Sequence, residues 1–276
     1  MKIFIVAEIG INHNGDINIA KQLIEMAKRC GCDAVKFQKR AIDIVYSKDI
    51  LNTPRESPWG TTTRQQKEGL EFGEAEYKEI DRYCKDSKIE WFASAWDLES
   101  QKFLRQFKFR NNKLASAMLT HRDFVKAVAS EGRHTFVSTG MCEWSVLDEV
   151  VEIFKSKECP FTLMHTVSLY PCDEGDLNLS LIPVLRERYK VPVAYSGHEV
   201  SPIPTIIAVA MGAVAVERHI TLDRAMYGSD QAASLEERGV EIMVKGVRSF
   251  EHSLGDGQKI FSDAEKAVAK KLRYWE

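Results

Sequence analysis

Short apolar runs alternate with amphipathic helical stretches along this whole 276-residue chain, about eight times over. The strand-like runs fall at 3–7, 34–38, 90–94, 113–116, 135–138, 161–165, 192–195 and 214–217. They are rich in Val, Ile and Phe and bounded by polar turn residues, which is the pattern of strands buried on both faces. Helical stretches are expected over 17–30, 74–87, 98–107, 122–131, 144–155, 179–189, 204–211 and 235–254. In the first, Ile19, Leu23, Met26 and Ala27 recur at the spacing of one helix face. A helix between each pair of strands makes the strands parallel, and about eight such units predict the α/β fold class, a single-domain (β/α)8 TIM barrel. A doubly wound open sheet is the alternative, but the chain has no Gly-rich dinucleotide turn. The barrel domain is expected over 1–261. A further helix follows over 262–276, opened by a Ser262-x-x-Glu265 cap. Between the second strand and the next helix, 40–73 is polar, long and rich in Thr, Pro and Arg, which predicts a functional loop with little regular structure.

Composition excludes several classes. The balance of 38 Lys and Arg against 40 Asp and Glu gives no broad basic surface, so nucleic acid is not an expected partner. The longest apolar run falls far short of a membrane span, and the first residues carry no signal-peptide pattern, so a cytoplasmic protein without membrane attachment is expected. Six cysteines without paired CxxC units fit reduced thiols in that compartment.

Nearly every predicted strand ends in a polar group. In order these are Glu8; Lys36 and Gln38; Ser94; Lys113 and Ser116; Ser138; His165 with Ser168 and Tyr170; Ser196 and His198; and Glu217 with His219. In a barrel the carboxyl ends of the strands converge on one mouth. Two lysines and a ring of hydroxyls there suit a phosphate or carboxylate, since Lys supplies point charge and hydroxyls supply donors. Glu8 closes the first strand and opens the polar run Gly10-Ile11-Asn12-His13-Asn14-Gly15. His198 and His219 end the seventh and eighth strands, neighbours in a closed barrel, and could share one divalent metal with positions left for water or substrate. A pair of hydrogen-bonded histidines without metal is the competing reading. Glu217, two residues before His219, faces the same side of its strand.

Several ordered motifs carry a resemblance. Glu8 through Gly15, Val35-Lys36-Phe37-Gln38, Ser138-Thr139-Gly140-Met141, Tyr170-Pro171, Ser196-Gly197-His198, Glu217-Arg218-His219 and Gly228-Ser229-Asp230 resemble the sialic acid (N-acetylneuraminate) synthase family, from residue 1 to about residue 274. The resemblance implies a metal-dependent condensation of phosphoenolpyruvate with an open-chain aldose, giving a 3-deoxy-2-keto sugar acid and phosphate. It implies that Lys36, Ser94, Lys113, Ser116, Ser138 and Ser196 cradle phosphoenolpyruvate. It makes His198 and His219 the metal ligands, for Mn²⁺ first and Mg²⁺ or Co²⁺ as alternatives. Glu8 becomes an acid/base group, with Lys36, Lys113 and Glu217 also in the catalytic set. Gln38, Ser168, Tyr170 and Asp230 then face the sugar. A homo-oligomer is implied as well.

The departures bear on the acceptor. Family members carry a small antifreeze-like lid domain after the barrel, and residue 276 falls where it would start, so a separately encoded lid is an expected partner. The family's Asn is Ser168 here, a Pro is Ala95, and a His is Gln231. An N-acetylmannosamine-like acceptor and a non-acetylated sugar are both open. A related enzyme with a phosphorylated acceptor is a second reading; it predicts a basic cluster in the mouth loops, for which Arg55 and Arg64 are the candidates. A third is a sugar- or phosphoenolpyruvate-binding barrel without turnover, against which the acid, lysines and histidines together weigh.

Overall fold

The computed structural model describes residues 2–275, so Met1 and Glu276, at the outer ends of the expected 1–261 and 262–276 spans, lie outside the described residues. Among the described residues, ten strands occur in chain order: β1 (Phe4–Gly10), β2 (Ala34–Lys39), β3 (Pro54–Ser57), β4 (Gly60–Thr62), β5 (Glu90–Ala95), β6 (Asn112–Leu114), β7 (Thr135–Ser138), β8 (Phe161–Thr166), β9 (Val193–Gly197) and β10 (Ala215–His219). Eight of them close into a barrel in the order β1-β10-β9-β8-β7-β6-β5-β2, every pair parallel. The expected (β/α)8 barrel is therefore the fold. β1 joins the two ends of the sheet: Glu8 pairs with His219 on one side and with Lys36 on the other.

The barrel strands are buried almost throughout because helices cover the outside while their own side chains fill the inside. The first helix, Ile17–Cys30, begins where Asp16 accepts the amide of Asn18 and ends at Gly31 in the left-handed region, and it buries Ala20, Leu23, Ile24, Met26 and Ala27. One helix after another buries a face in this way, through Glu237–Ser253, which buries Val240, Met243, Val244 and Val247.

The 40–73 segment differs from expectation. It holds two short helices (Ile42–Val45 and Lys48–Leu51), the antiparallel hairpin β3–β4, and a helix over Thr63–Leu70. A capping box starts that helix, with the Thr62 side chain and Gln65 each satisfying the other's backbone, and Thr63, Gln66 and Leu70 are buried beneath it. Its apolar stripe is too narrow to stand out from a polar composition, and burial of Thr63 and Gln66 does work that the pattern assigns to aliphatic residues. At the other end of the chain, the Ser262–Glu265 capping box forms as expected and starts the helix Asp263–Leu272, which buries none of its residues. Among the described residues, no helix is long and apolar enough to cross a membrane.

Candidate active site

Alternation along each strand decides which side chains enter the mouth. On β2, Lys36 and Gln38 point in; on β10, Glu217 and His219 point in while Arg218 points out. On β8 the inward residues are Met164, whose sulfur is 3.2 Å from Lys113 Nζ, and Thr166. His165 therefore turns outward, where its Nε2 meets the Leu177 carbonyl at 2.7 Å, and the expectation that it joins the mouth is corrected. Glu8, Lys36, Gln38, Ser94, Lys113, Ser116, Ser138, Ser168, Tyr170, Ser196, His198, Glu217 and His219 all line one cavity. Asp230 stands just beyond it, with a carboxylate oxygen 3.8 Å from His219 Nδ1, and lines an adjoining cleft.

At the floor four charges share the interior. Lys36 Nζ lies 2.8 Å from Glu8 Oε2 and 3.7 Å from Glu217 Oε1, and Lys113 Nζ lies 2.7 Å from the same Glu217 oxygen. Ser196 Oγ adds a 3.1 Å hydrogen bond to that oxygen. All four charged residues are at most 4% exposed, so each is tolerable only because the others neutralise it. Burial alone would raise the Glu217 pKa, but the ammonium groups of Lys113 and Lys36 outweigh it and hold the carboxyl down at about 2. The two lysines diverge for a visible reason. Burial lowers both, yet Lys36 is flanked by two carboxylates and ends above its ordinary value. Lys113 has Glu217 as its direct partner and Lys36 as a like-charged neighbour, and ends below its own.

Glu8 is held on both oxygens: Lys36 takes one, and Gln38 Nε2 donates to the other at 2.8 Å. Gly10 makes this close arrangement feasible. It sits at φ +55° where β1 shifts register, and a Cβ there would stand 3.1 Å from Gln38 Nε2, 3.2 Å from Glu8 Oε1 and 3.4 Å from His219 Cε1. Beyond it the polar run is structural. Asn12 Nδ2 donates to the Ile220 carbonyl and to Ser234 Oγ, and His13 stacks on Phe72 with ring centroids 3.9 Å apart. The hydroxyl ring is packed tightly too: a Cβ on Gly140 would fall 2.5 Å from Ser168 Oγ and 2.9 Å from Ser116 Oγ.

At the lip, the His198 and His219 rings lie 5.5 Å apart, and Tyr170 sits against both, 4.0 Å and 5.7 Å away. His198 Nδ1–H donates to the Val167 carbonyl at 2.7 Å, which leaves Nε2 with its lone pair. Burial, with the neighbouring His219, pulls the His198 pKa down to about 3, so the ring is a neutral donor. His219 Nδ1 is buried without a hydrogen-bond partner. Two imidazoles with free nitrogens on adjacent strands suit a divalent ion, with its remaining positions left to water or substrate oxygens. Among the described residues, no group of three or more His, Cys, Asp or Glu gathers around a point, so protein donors beyond the imidazole pair are not assembled.

Two features escape a reading of strand ends. Behind the histidines, Arg218 Nη1 donates to Glu199 Oε1 (2.8 Å), the Ser201 carbonyl (2.9 Å) and Thr205 Oγ1 (2.8 Å), and Nη2 donates to the Glu199 carbonyl. The pair is wholly buried. Arg218 adjoins Glu217 and His219 in sequence, and Glu199 adjoins His198, so this knot fixes the ends of β9 and β10 together. The second feature is Arg40, which lies over the Trp96 ring at 4.1 Å with Nη2 on Gln38 Oε1 at 2.6 Å.

The whole chain has relatives. Human N-acetylneuraminate-9-phosphate synthase is 36% identical over 272 residues, which span 98% of this chain and 76% of that protein. The N,N'-diacetyllegionaminic acid synthase of Legionella pneumophila is 31% identical, across 99% of this chain and 79% of its own length. Among solved structures, the N-acetylneuraminic acid synthetase of Leptospira borgpetersenii, in complex with citrate, superimposes with a TM-score of 0.86 at 29% identity, covering 99% of this chain and 93% of that one. The sequence pattern of the NeuB family matches residues 23–259, and the chain belongs to the NeuB family.

Proposed function

We propose that this chain condenses phosphoenolpyruvate with an open-chain aldose to a 3-deoxy-2-keto sugar acid and phosphate. The observation that carries the reading is the floor of the mouth, where Lys36 and Lys113 stand beside Glu8 and Glu217 under a ring of serine hydroxyls. Phosphoenolpyruvate brings a phosphate and a carboxylate to a site with two ammonium groups, and Ser94, Ser116, Ser138 and Ser196 supply neutral donors around them. Carbon–carbon bond formation joins the enol carbon to the aldehyde carbon, whose oxygen takes a proton. Water then adds at the carbon bearing the phosphate ester, and that carbon–oxygen–phosphorus linkage opens to a ketone as inorganic phosphate leaves. Glu8, pinned by Lys36 and Gln38, is the group placed to move a proton beside those carbons. The lysines hold the departing phosphate through the collapse, which is positioning together with charge stabilisation.

His198 and His219 are the residues that would hold a divalent metal, and when bound it supplies Lewis acidity to the aldehyde oxygen. A mixed imidazole and oxygen donor set favours Mn²⁺ or Co²⁺ over Mg²⁺, which prefers oxygen alone. The reading extends to a cytoplasmic homo-oligomer acting on small molecules. Six free cysteines support a reducing compartment. It also treats residues 1–261 as the catalytic unit, with the helix Asp263–Leu272, none of whose residues is buried, as the approach to a lid, attached or separate.

The test is incubation with phosphoenolpyruvate, Mn²⁺ and a panel of five- to seven-carbon aldoses, following phosphate. Release that depends on both metal and acceptor is the expected result; no release with any acceptor sinks the proposal.

A further inference from the structure

The 40–73 segment brings three cations to the acceptor side of the mouth. Arg40 and Lys67 line a cleft of about 200 Å³ that shares Gln38, Trp96, Met141 and Tyr170 with the buried cavity, so the two spaces adjoin. Arg55, on the exposed hairpin strand β3, is near enough to repel Lys67. Arg64, expected from sequence to belong to such a cluster, does not: Asp43 and Glu68 hold it, at 2.7 and 3.2 Å.

One carboxylate that lines the cleft, Glu71, is committed elsewhere. Glu71 accepts from Lys39 Nζ at 2.8 Å and from the Arg40 backbone amide at 3.0 Å. Asp230 also lines the cleft and offsets part of the charge. Arg40 is already oriented, with its plane on Trp96 and one nitrogen on Gln38, and its buried Nε has no hydrogen-bond partner. Lys67 Nζ sits 5.0 Å over the Tyr46 ring. Burial and repulsion from Arg40 and Arg55 lower the Lys67 pKa, as expected where positive charge lacks a counterpart. A fixed guanidinium fork beside an ammonium group is the donor set that a phosphate monoester takes.

We propose that the acceptor aldose carries a phosphate monoester at the end remote from its aldehyde, received by Arg40 and Lys67 with Arg55 at the rim. The inference rests on the synthase reading above and names its substrate class. Gln38 sets the polarity of the bound sugar, since its amide nitrogen holds Glu8 at the reacting end and its oxygen holds Arg40 at the other. Relatives named for a 9-phosphate product (36% identical) and for legionaminic acid (31% identical) both match nearly the whole chain, so the choice is argued from these cations.

The experiment uses the full chain and two matched pairs: N-acetylmannosamine with its 6-phosphate, and mannose with its 6-phosphate. Binding is measured by calorimetry and turnover by phosphate release from phosphoenolpyruvate. The phosphorylated member of at least one pair should bind tenfold tighter or better and show the higher kcat/KM. Lys67→Met and Arg40→Met should each shrink that preference by roughly 10- to 100-fold, the size of a lost charge-assisted hydrogen bond. Arg55→Ala, on an exposed hairpin where folding is not at stake, should shrink it less. Equal binding within both pairs, or a preference that survives both the Lys67 and Arg40 variants, overturns the proposal. A binding preference that persists with no phosphate release from any acceptor removes the synthase reading and leaves the anion site standing.

Discussion

Arg218→Met tests whether the buried knot behind the histidines holds the mouth in shape. Arg218 and Glu199 are both fully buried and 2.8 Å apart, and Arg218 also satisfies the Ser201 carbonyl and Thr205. Methionine has a similar apolar stem and no charge, so the variant leaves Glu199 in the interior with the Tyr195 and Thr205 hydroxyls as its side-chain partners. Breaking a buried pair by removing one member costs about 3–5 kcal/mol, because the remaining charge keeps its desolvation penalty. For a barrel of this size that corresponds to a fall in Tm of roughly 6–20 °C. Adding Glu199→Gln removes the stranded charge while its amide oxygen accepts from one hydroxyl and its amide nitrogen donates to the other, and should recover at least half of the loss. Urea and thermal unfolding of the wild type, the single variant and the double variant measure this directly. Turnover should fall in the single variant by tenfold or more, since the His198 and His219 backbones lose their shared anchor. A single variant within about 1 kcal/mol of wild type, or a double variant no more stable than the single, would refute the argument.

Three further outcomes are expected. Gly10→Ala places a methyl group among Gln38, Glu8 and His219 and puts a side chain at φ +55°, so it should cost about 1–2 kcal/mol and lower kcat at least tenfold, read by unfolding and by phosphate release. His198→Ala and His219→Ala should each abolish metal-dependent turnover while leaving the unfolding midpoint near that of wild type; near-full activity of either in added metal would remove it from the metal site. Burial pulls the His13 pKa down to about 3, against a backbone hydrogen bond to Gly10, so between pH 6.5 and 3 the unfolded chain takes up the proton that folded His13 refuses. Stability should therefore be full above pH 6.5 and decline as pH falls toward 3, and His13→Asn should flatten that decline in urea midpoints measured across the range.

The barrel was legible because helix and strand periods leave different marks, and inward-facing residues such as Lys36, Gln38, Glu217 and His219 follow from a period of two. Partnership was not legible. Lys113 and Glu217 are 104 residues apart, and nothing local says that they meet. His165 shows the cost of counting strand ends without phase: one residue either way, Met164 or Thr166, faces the mouth. The 40–73 segment misled because its helix buries Thr63 and Gln66, whose types signal solvent, and because Arg40 and Lys67 read as ordinary surface cations until tertiary packing sets one on Trp96 and the other over Tyr46. Arg218 and Glu199 were invisible for the opposite reason, since charged residues are not expected to be wholly interior.

Pairing of β1 with β10, which sets Glu8 beside His219, also bears on how the molecule comes into being. That seam joins segments more than two hundred residues apart, so it is among the costliest loops to close and cannot form until the eighth barrel strand has been synthesised. Until then Lys36 and Lys113 lack Glu217, and one edge of β1 lacks its neighbour. The groups assigned to chemistry are thus the groups at the join, so closing the barrel is also the step that assembles the site. Enzymatic turnover, followed during refolding, reports the instant at which the barrel shuts.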